Sequence, residues 1–114
     1  LGVWEIARRV ADLGRRTRER KVRPDELQGA SFSVSNLGGI GGTAFTPIVN
    51  APEVAILGVS RTQTRPRFSG EAFEPRQVLP LSLSYDHRVI DGAEAARFTT
   101  RLAALLGDLR AWVL

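Results

Sequence analysis

The chain has 114 residues, 43% of them hydrophobic and 25% charged, the make-up of one ordinary globular domain. It has no cysteine and one histidine, which excludes disulfides, thiolate zinc sites and a cysteine nucleophile and argues against a transition-metal site. The net charge is +4. No apolar run approaches the roughly 20 residues of a membrane span, and Leu1-Gly2-Val3-Trp4-Glu5 lacks the charged-then-apolar pattern of a signal peptide. There is no methionine, and Leu1 opens on a helical pattern already under way, so the natural start is expected upstream.

Trp4, Ala7, Val10, Ala11 and Leu13 recur at helical spacing and predict an amphipathic helix from Leu1 to about Lys21. Gly14 within it costs about 1 kcal/mol relative to alanine, so the helix should rely on packing. Eight basic residues fall within residues 1–23, against Glu5, Asp12 and Glu19. They invite a nucleic-acid reading, but no aromatic residues interleave with them as a stacking platform would need, and a solvated helix face is the plainer account. Arginine outnumbers lysine 15 to 1, a composition signal of a GC-rich genome. Pro24 ends the helix, and Pro24-Asp25-Glu26-Leu27 predicts a short helical turn.

Ser31 to Asn36 alternates polar and apolar residues, a strand with one buried face. Gly38 to Gly42 holds four glycines in five positions. Its spacing is not that of a dinucleotide loop, and a tight turn near a ligand or neighbouring subunit is as good a reading. Thr46 to Pro52 reads as extended and turn-like. Val54 to Val59 reads as a strand buried on both faces, with Ser60 to Phe68 continuing it outward. Ser69-Gly70 signals a hairpin turn, and Glu71 to Gln77 should return antiparallel. Val78 to Tyr85 predicts the next strand.

That strand runs into Asp86-His87-Arg88-Val89-Ile90-Asp91-Gly92, which carries the only histidine. A helix is expected from Asp91 to Leu106, with Asp91 and Glu94 as a capping-box variant and Gly107 as a C-cap candidate. A side chain at such a junction is held by rigid elements yet free to face a cleft. Imidazole suits proton transfer near neutral pH. On spacing alone, a lone histidine ahead of a helix is more often structural. The tail from Leu109 to Leu114 is apolar for a chain end and should seek a partner surface.

Three separated runs, FSVSNLGGIGGTAF at residues 32–45, NAPEVAILGVS at residues 50–60 and DHRVIDG at residues 86–92 followed by AEAARF, resemble the catalytic domain of dihydrolipoyl acyltransferases of 2-oxoacid dehydrogenase complexes. The resemblance runs from Glu5 to Leu114, and the GGTAFTPIV and NAPEVAILGVS runs look most like the acetyl-transferring, pyruvate branch. It implies an α/β fold: a two-layer sandwich with a mixed sheet, like chloramphenicol acetyltransferase and other coenzyme A-dependent acyltransferases. Residues 1–114 would be the C-terminal half of a single catalytic domain.

In function the resemblance implies acetyl transfer between dihydrolipoamide and coenzyme A. His87 would be the general base on the thiol, Ser35 would donate to the oxyanion from a neighbouring subunit, and Asp91 would position the histidine loop first. Asp86 and Arg88 would form ion pairs that hold the orientation of His87. Coenzyme A or acetyl-CoA would be the substrate, the lipoyl group would ride on a separate domain, and no metal would take part. The partners implied are a homotrimer building a larger core, the lipoyl domain and the dehydrogenase components, in a bacterial cytoplasm, with no nucleic acid and no membrane. Trp112, Val113 and Leu114 would pack against an adjacent trimer. The rival readings are a truncated scaffold that assembles without turnover and a basic anion- or nucleic-acid-binding module. A chloramphenicol acetyltransferase would share the fold and a similar histidine motif, but the NAPEVAILGVS run argues against it.

Overall fold

The computed structural model describes residues 1–113, with side chains to residue 111, and divides the chain into two units that part after Ser31. The first holds helix α1 (Val3–Arg18) and a 3₁₀ turn (Pro24–Leu27). α1 stops short of the expected Lys21. Arg20 adopts φ 58°, and the amides of Arg20 and Lys21 turn back to the carbonyls of Thr17 and Arg16 (3.1 and 2.8 Å). A left-handed residue of this kind ends a helix while satisfying its last carbonyls.

Within this unit α1 buries no residue, so the support for Gly14 seen here is electrostatic rather than packing. Glu5 accepts from Arg9 (2.7 Å), and Asp12 accepts from both Arg15 and Arg16 (2.8 and 2.9 Å). Arg16 also reaches Glu26 (2.8 Å), tying the 3₁₀ turn to the helix. That guanidinium and the Arg23 amide hold the Glu26 carboxyl below its usual range, the amide contributing most. Much of the basic stretch is therefore neutralised by its own neighbours, as a solvated helix face requires.

The second unit is built on a three-stranded mixed sheet, ordered β1 (Ser33–Asn36), β2 (Ala55–Val59), then the strand Leu81–Tyr85. Strands β3 (Gln63–Phe68) and β4 (Phe73–Val78) form a separate antiparallel hairpin, and Leu81–Tyr85 is β5. β1 runs parallel to β2, pairing Ser35 with Gly58. β5 runs antiparallel to β2, pairing Ser82 with Gly58 and Tyr85 with Ala55. The hairpin turns at Ser69 and Gly70 (φ 96°) and closes on a Phe68–Phe73 ring pair at 5.5 Å.

Two expected strands divide. Ser60 to Phe68 does not prolong β2; the chain leaves the sheet and forms β3 of the separate hairpin. Val78 closes the hairpin opposite Gln63, whereas Leu81 opens β5. Pro80 lies at the second break. It has no amide for a ladder, so only its carbonyl is used, accepting from Ser60 N at 3.1 Å.

Helix α2 (Gly92–Gly107) follows β5. Gly107, expected as a cap, is the last helical residue, and Asp108 takes the cap position. A short helix α3 (Arg110–Val113) starts at once, with the Asp108 carboxylate accepting from Arg110 N (3.1 Å). The expectation that Trp112, Val113 and Leu114 dock on an adjacent trimer rests on side chains outside the described residues.

Strand alternation separates the two faces of the sheet. Val34, Ala55, Leu57, Leu83 and Tyr85 share one face. There Leu83, Ala55, Ala95 and Phe98 wall a cavity of ≈ 320 Å³ under α2. Ser33, Ser35, Ile56, Gly58, Ser82 and Ser84 share the other face. The buried core is short and centred on β2: Ala55, Ile56 and Leu57, joined by Ala95 of α2. Gly58 continues it because Phe45 and Pro47 press against that position. A Cβ there would lie 2.8 Å from Phe45 Cζ and 3.2 Å from Pro47 Cγ.

Gly58→Ala is therefore expected to destabilise the fold by about 1–3 kcal/mol, the usual cost of overpacking. Denaturant unfolding of the variant against wild type measures it, and unchanged stability would mean that Phe45 moves aside freely.

Candidate active site

His87 owes its position to the sheet. Asp86 extends the β5 ladder one residue past Tyr85, donating its amide to Val54 O at 2.8 Å. Its carbonyl then accepts from the amides of both Val89 and Ile90 (3.0 Å each), closing a tight turn with His87 on it. Asp91 ends the turn and starts α2: its Oδ1 accepts from Glu94 N (2.8 Å), and Glu94 Oε2 accepts from Asp91 N (3.3 Å). The expected capping box is present, so the positioning part assigned to Asp91 has a geometric basis. His87 itself is exposed.

The flanking charges form the expected ion pair: Asp86 and Arg88 hold each other. Arg88 Nε and Nη2 reach the two Asp86 oxygens (2.9 and 2.8 Å), and Arg88 N donates to Oδ1 as well (3.0 Å). These bonds, the side-chain ones first, lower the Asp86 carboxyl to about 2, so it stays ionised at neutral pH and is no proton carrier. Among the described residues no hydrogen bond links either acid to the imidazole. The contact that the sequence reading missed is aromatic. The Tyr85 ring lies 5.6 Å from the His87 ring, tilted by 36°. Two residues apart at a strand end, they share a side of the chain, and that spacing was the available signal.

Ser35 sits in the middle of β1, half-buried. One chain does not bring it to His87. Ser35 is level with Gly58, whereas Asp86 is level with Val54, and the two lie on strands flanking β2. At ~3.3 Å per residue and ~4.8 Å per strand the separation is roughly 16 Å. Ser35 also points to the face opposite the one that carries Tyr85. Its neighbour Ser33 is already engaged, donating to Glu53 Oε1 at 2.7 Å.

The glycine-rich loop is a turn and not an anion cradle. Gly38 N donates to Asn36 Oδ1 (2.8 Å), and the Ile40 and Gly41 amides donate to Leu37 O (3.0 and 3.3 Å). Gly41 and Gly42 take φ of 117° and 92°, which explains glycine at those positions. The cavity under α2 is apolar, and its one charged wall residue, Glu94, is committed to the cap.

Comparison with known proteins gives a consistent result. The dihydrolipoyllysine-residue acetyltransferase component of the pyruvate dehydrogenase complex of Azotobacter vinelandii is 61% identical over 110 residues, covering 96% of this chain and 17% of that protein. A solved structure of the Azotobacter vinelandii dihydrolipoamide acetyltransferase superposes with a TM-score of 0.92 at 62% identity, covering 96% of this chain and 45% of that one. That structure belongs to a crystallographic and enzymatic investigation of the roles of a serine, a histidine and an asparagine in its catalytic mechanism. The cubic core of a pyruvate dehydrogenase multienzyme complex superposes with a TM-score of 0.95 at 59% identity, covering all of this chain and 47% of that one. The chain thus spans under half the length of the relatives it matches, and it shares the acyltransferase fold over that span. The model of the 2-oxoacid dehydrogenases acyltransferase (catalytic domain) family matches residues 1–114, and the chain belongs to that family.

Proposed function

We propose that residues 1–114 form the C-terminal part of a single acyltransferase catalytic domain that moves an acetyl group between dihydrolipoamide and coenzyme A. The observation that carries the reading is a shared spacing. In the Azotobacter enzyme the investigated serine precedes the histidine by the same interval that separates Ser35 from His87. The asparagine follows the histidine at the interval of Asp91 from His87.

A thiol with pKa ~8.5 is mostly protonated at neutral pH, while its thiolate is the nucleophile. His87, presented on its turn, accepts the proton of the coenzyme A thiol as the sulfur attacks the acetyl carbonyl carried on dihydrolipoamide. The tetrahedral oxyanion collapses by breaking the old carbon–sulfur bond, and His87 returns the proton to the departing thiolate. In reverse the two thiols exchange roles. Ser35 donates to the oxyanion. Since it lies about 16 Å from the histidine turn of its own chain, it serves His87 of another copy. A homotrimer building a larger core supplies that copy. The lipoyl group arrives on a separate domain, fed by the dehydrogenase components, and the setting is a bacterial cytoplasm.

The scaffold reading gains from the same separation, because a lone chain lacks a complete site. Three expected outcomes, all in the full-length enzyme, distinguish the readings. His87→Ala should lower kcat by about 10²–10⁴-fold without unfolding the domain; kcat near wild type would remove the base role.

Ser35→Ala should lower kcat by roughly 10²-fold with KM little changed. Co-assembled with His87→Ala chains, it should regain activity above either parent, because some interfaces then pair an intact His87 with an intact Ser35. No regain would place both residues in a single chain's site or leave Ser35 without a role.

Asp91→Asn should keep most activity, since an amide oxygen caps a helix as a carboxylate does. Asp91→Ala should lose about 1 kcal/mol of stability and part of kcat. Equal losses of activity in both variants would assign the carboxylate charge a direct part in the chemistry.

A further inference from the structure

The turn fixes the backbone of His87 but not its ring. The two carboxylates of the same motif are spoken for. Asp86 is held by three donors from Arg88, and Asp91 is held by the amide of Glu94. Neither hydrogen-bonds the imidazole, although a general base ordinarily has its ring oriented by such a third group. What does touch the ring is Tyr85, at a centroid distance of 5.6 Å and a tilt of 36°, within the range of favourable ring pairs.

Tyr85 is itself well placed to hold another group. Its backbone pairs with Ala55 in the buried strand β2. Its hydroxyl end lies against the first residue of α2: a Cβ at Gly92 would stand 3.8 Å from it, an ordinary contact distance. The side chain thus lies between the end of β5, the start of α2 and the imidazole, and it is half-buried while His87 is exposed.

We infer that Tyr85 is the positioning residue of the site, its ring holding the His87 imidazole in one orientation while the neighbouring acids serve the turn and the helix cap. The inference rests on the reading of His87 as general base.

The test uses the assembled full-length enzyme. Tyr85→Phe keeps the ring, whereas Tyr85→Leu and Tyr85→Met each remove it at similar bulk, so that the result rests on whichever assembles. Two quantities are read: the density for the His87 ring at high resolution, and kcat and KM separately. Wild type and Tyr85→Phe should show one ring orientation and equal kcat. The ring-less variants should show several orientations and a kcat lowered about tenfold at unchanged KM, because misplacing a catalytic group penalises the transition state more than binding.

A single unchanged orientation without the tyrosine ring overturns the inference. So does a scattered ring with full kcat. A Tyr85→Phe variant as impaired as Tyr85→Leu overturns it as well, by making the hydroxyl and not the ring the holding group. Full activity of His87→Ala would instead defeat the base assignment, and the ring orientations would still report whether Tyr85 holds the histidine.

Discussion

The structure depends on the central strand β2. It is paired on both edges, parallel to β1 and antiparallel to β5, and four of its five residues are buried. Burying backbone this deeply is affordable only because both flanking strands satisfy its amides and carbonyls. The strand can have a glycine at position 58 and still be core, because Phe45 and Pro47 fill the space a side chain would take. From this strand the site inherits its geometry. Val54, one residue before β2, accepts the Asp86 amide, so the strand that fills the core also sets the height at which the histidine turn begins.

Around that turn the polar groups of Asp86 and Asp91 each serve one task. The carbonyl of Asp86 closes the turn, its carboxylate binds Arg88, and the Asp91 carboxylate caps α2. Two strong anions within four residues of an imidazole suggest an electrostatic triad on paper. Local geometry spends both on structure instead, because an arginine two residues on and an amide three residues on are the nearest donors. The imidazole is left exposed, with a tyrosine ring for its neighbour.

The sheet also explains why the proposed acetyl transfer calls on more than one chain. β1 and β5 flank β2 on opposite sides, so Ser35 and His87 diverge in strand, in level and in face. An active site using both needs a second copy to bring a serine to the histidine. The short core is a separate matter, since the chain spans under half the length of the relatives it matches. Val34 on β1 is 62% exposed and Phe98 on α2 is 45% exposed, apolar surface that a three-stranded sheet and one helix leave uncovered.

Much of this was legible in the residues. Periodicity gave α1, β1, β2 and α2 nearly to their ends, and Ser69-Gly70 gave the hairpin, because these signals act within a few residues. Asp91 and Glu94 announced a cap for the same reason, and three ordered motifs announced the family. Where local rules failed, the cause was non-local or competed with the expected one. Arg20 ended α1 before Pro24 did. Pro80 split one predicted strand between a hairpin and a sheet. The sequence by itself determined where the helices, β1, β2 and the hairpin turn lie and which side chain is equipped to move a proton. Only the tertiary structure decided how far apart Ser35 and His87 lie within one chain, on strands flanking β2 and facing opposite sides of the sheet. Distance and facing across strands depend on pairing order and register, which no local run of residues encodes.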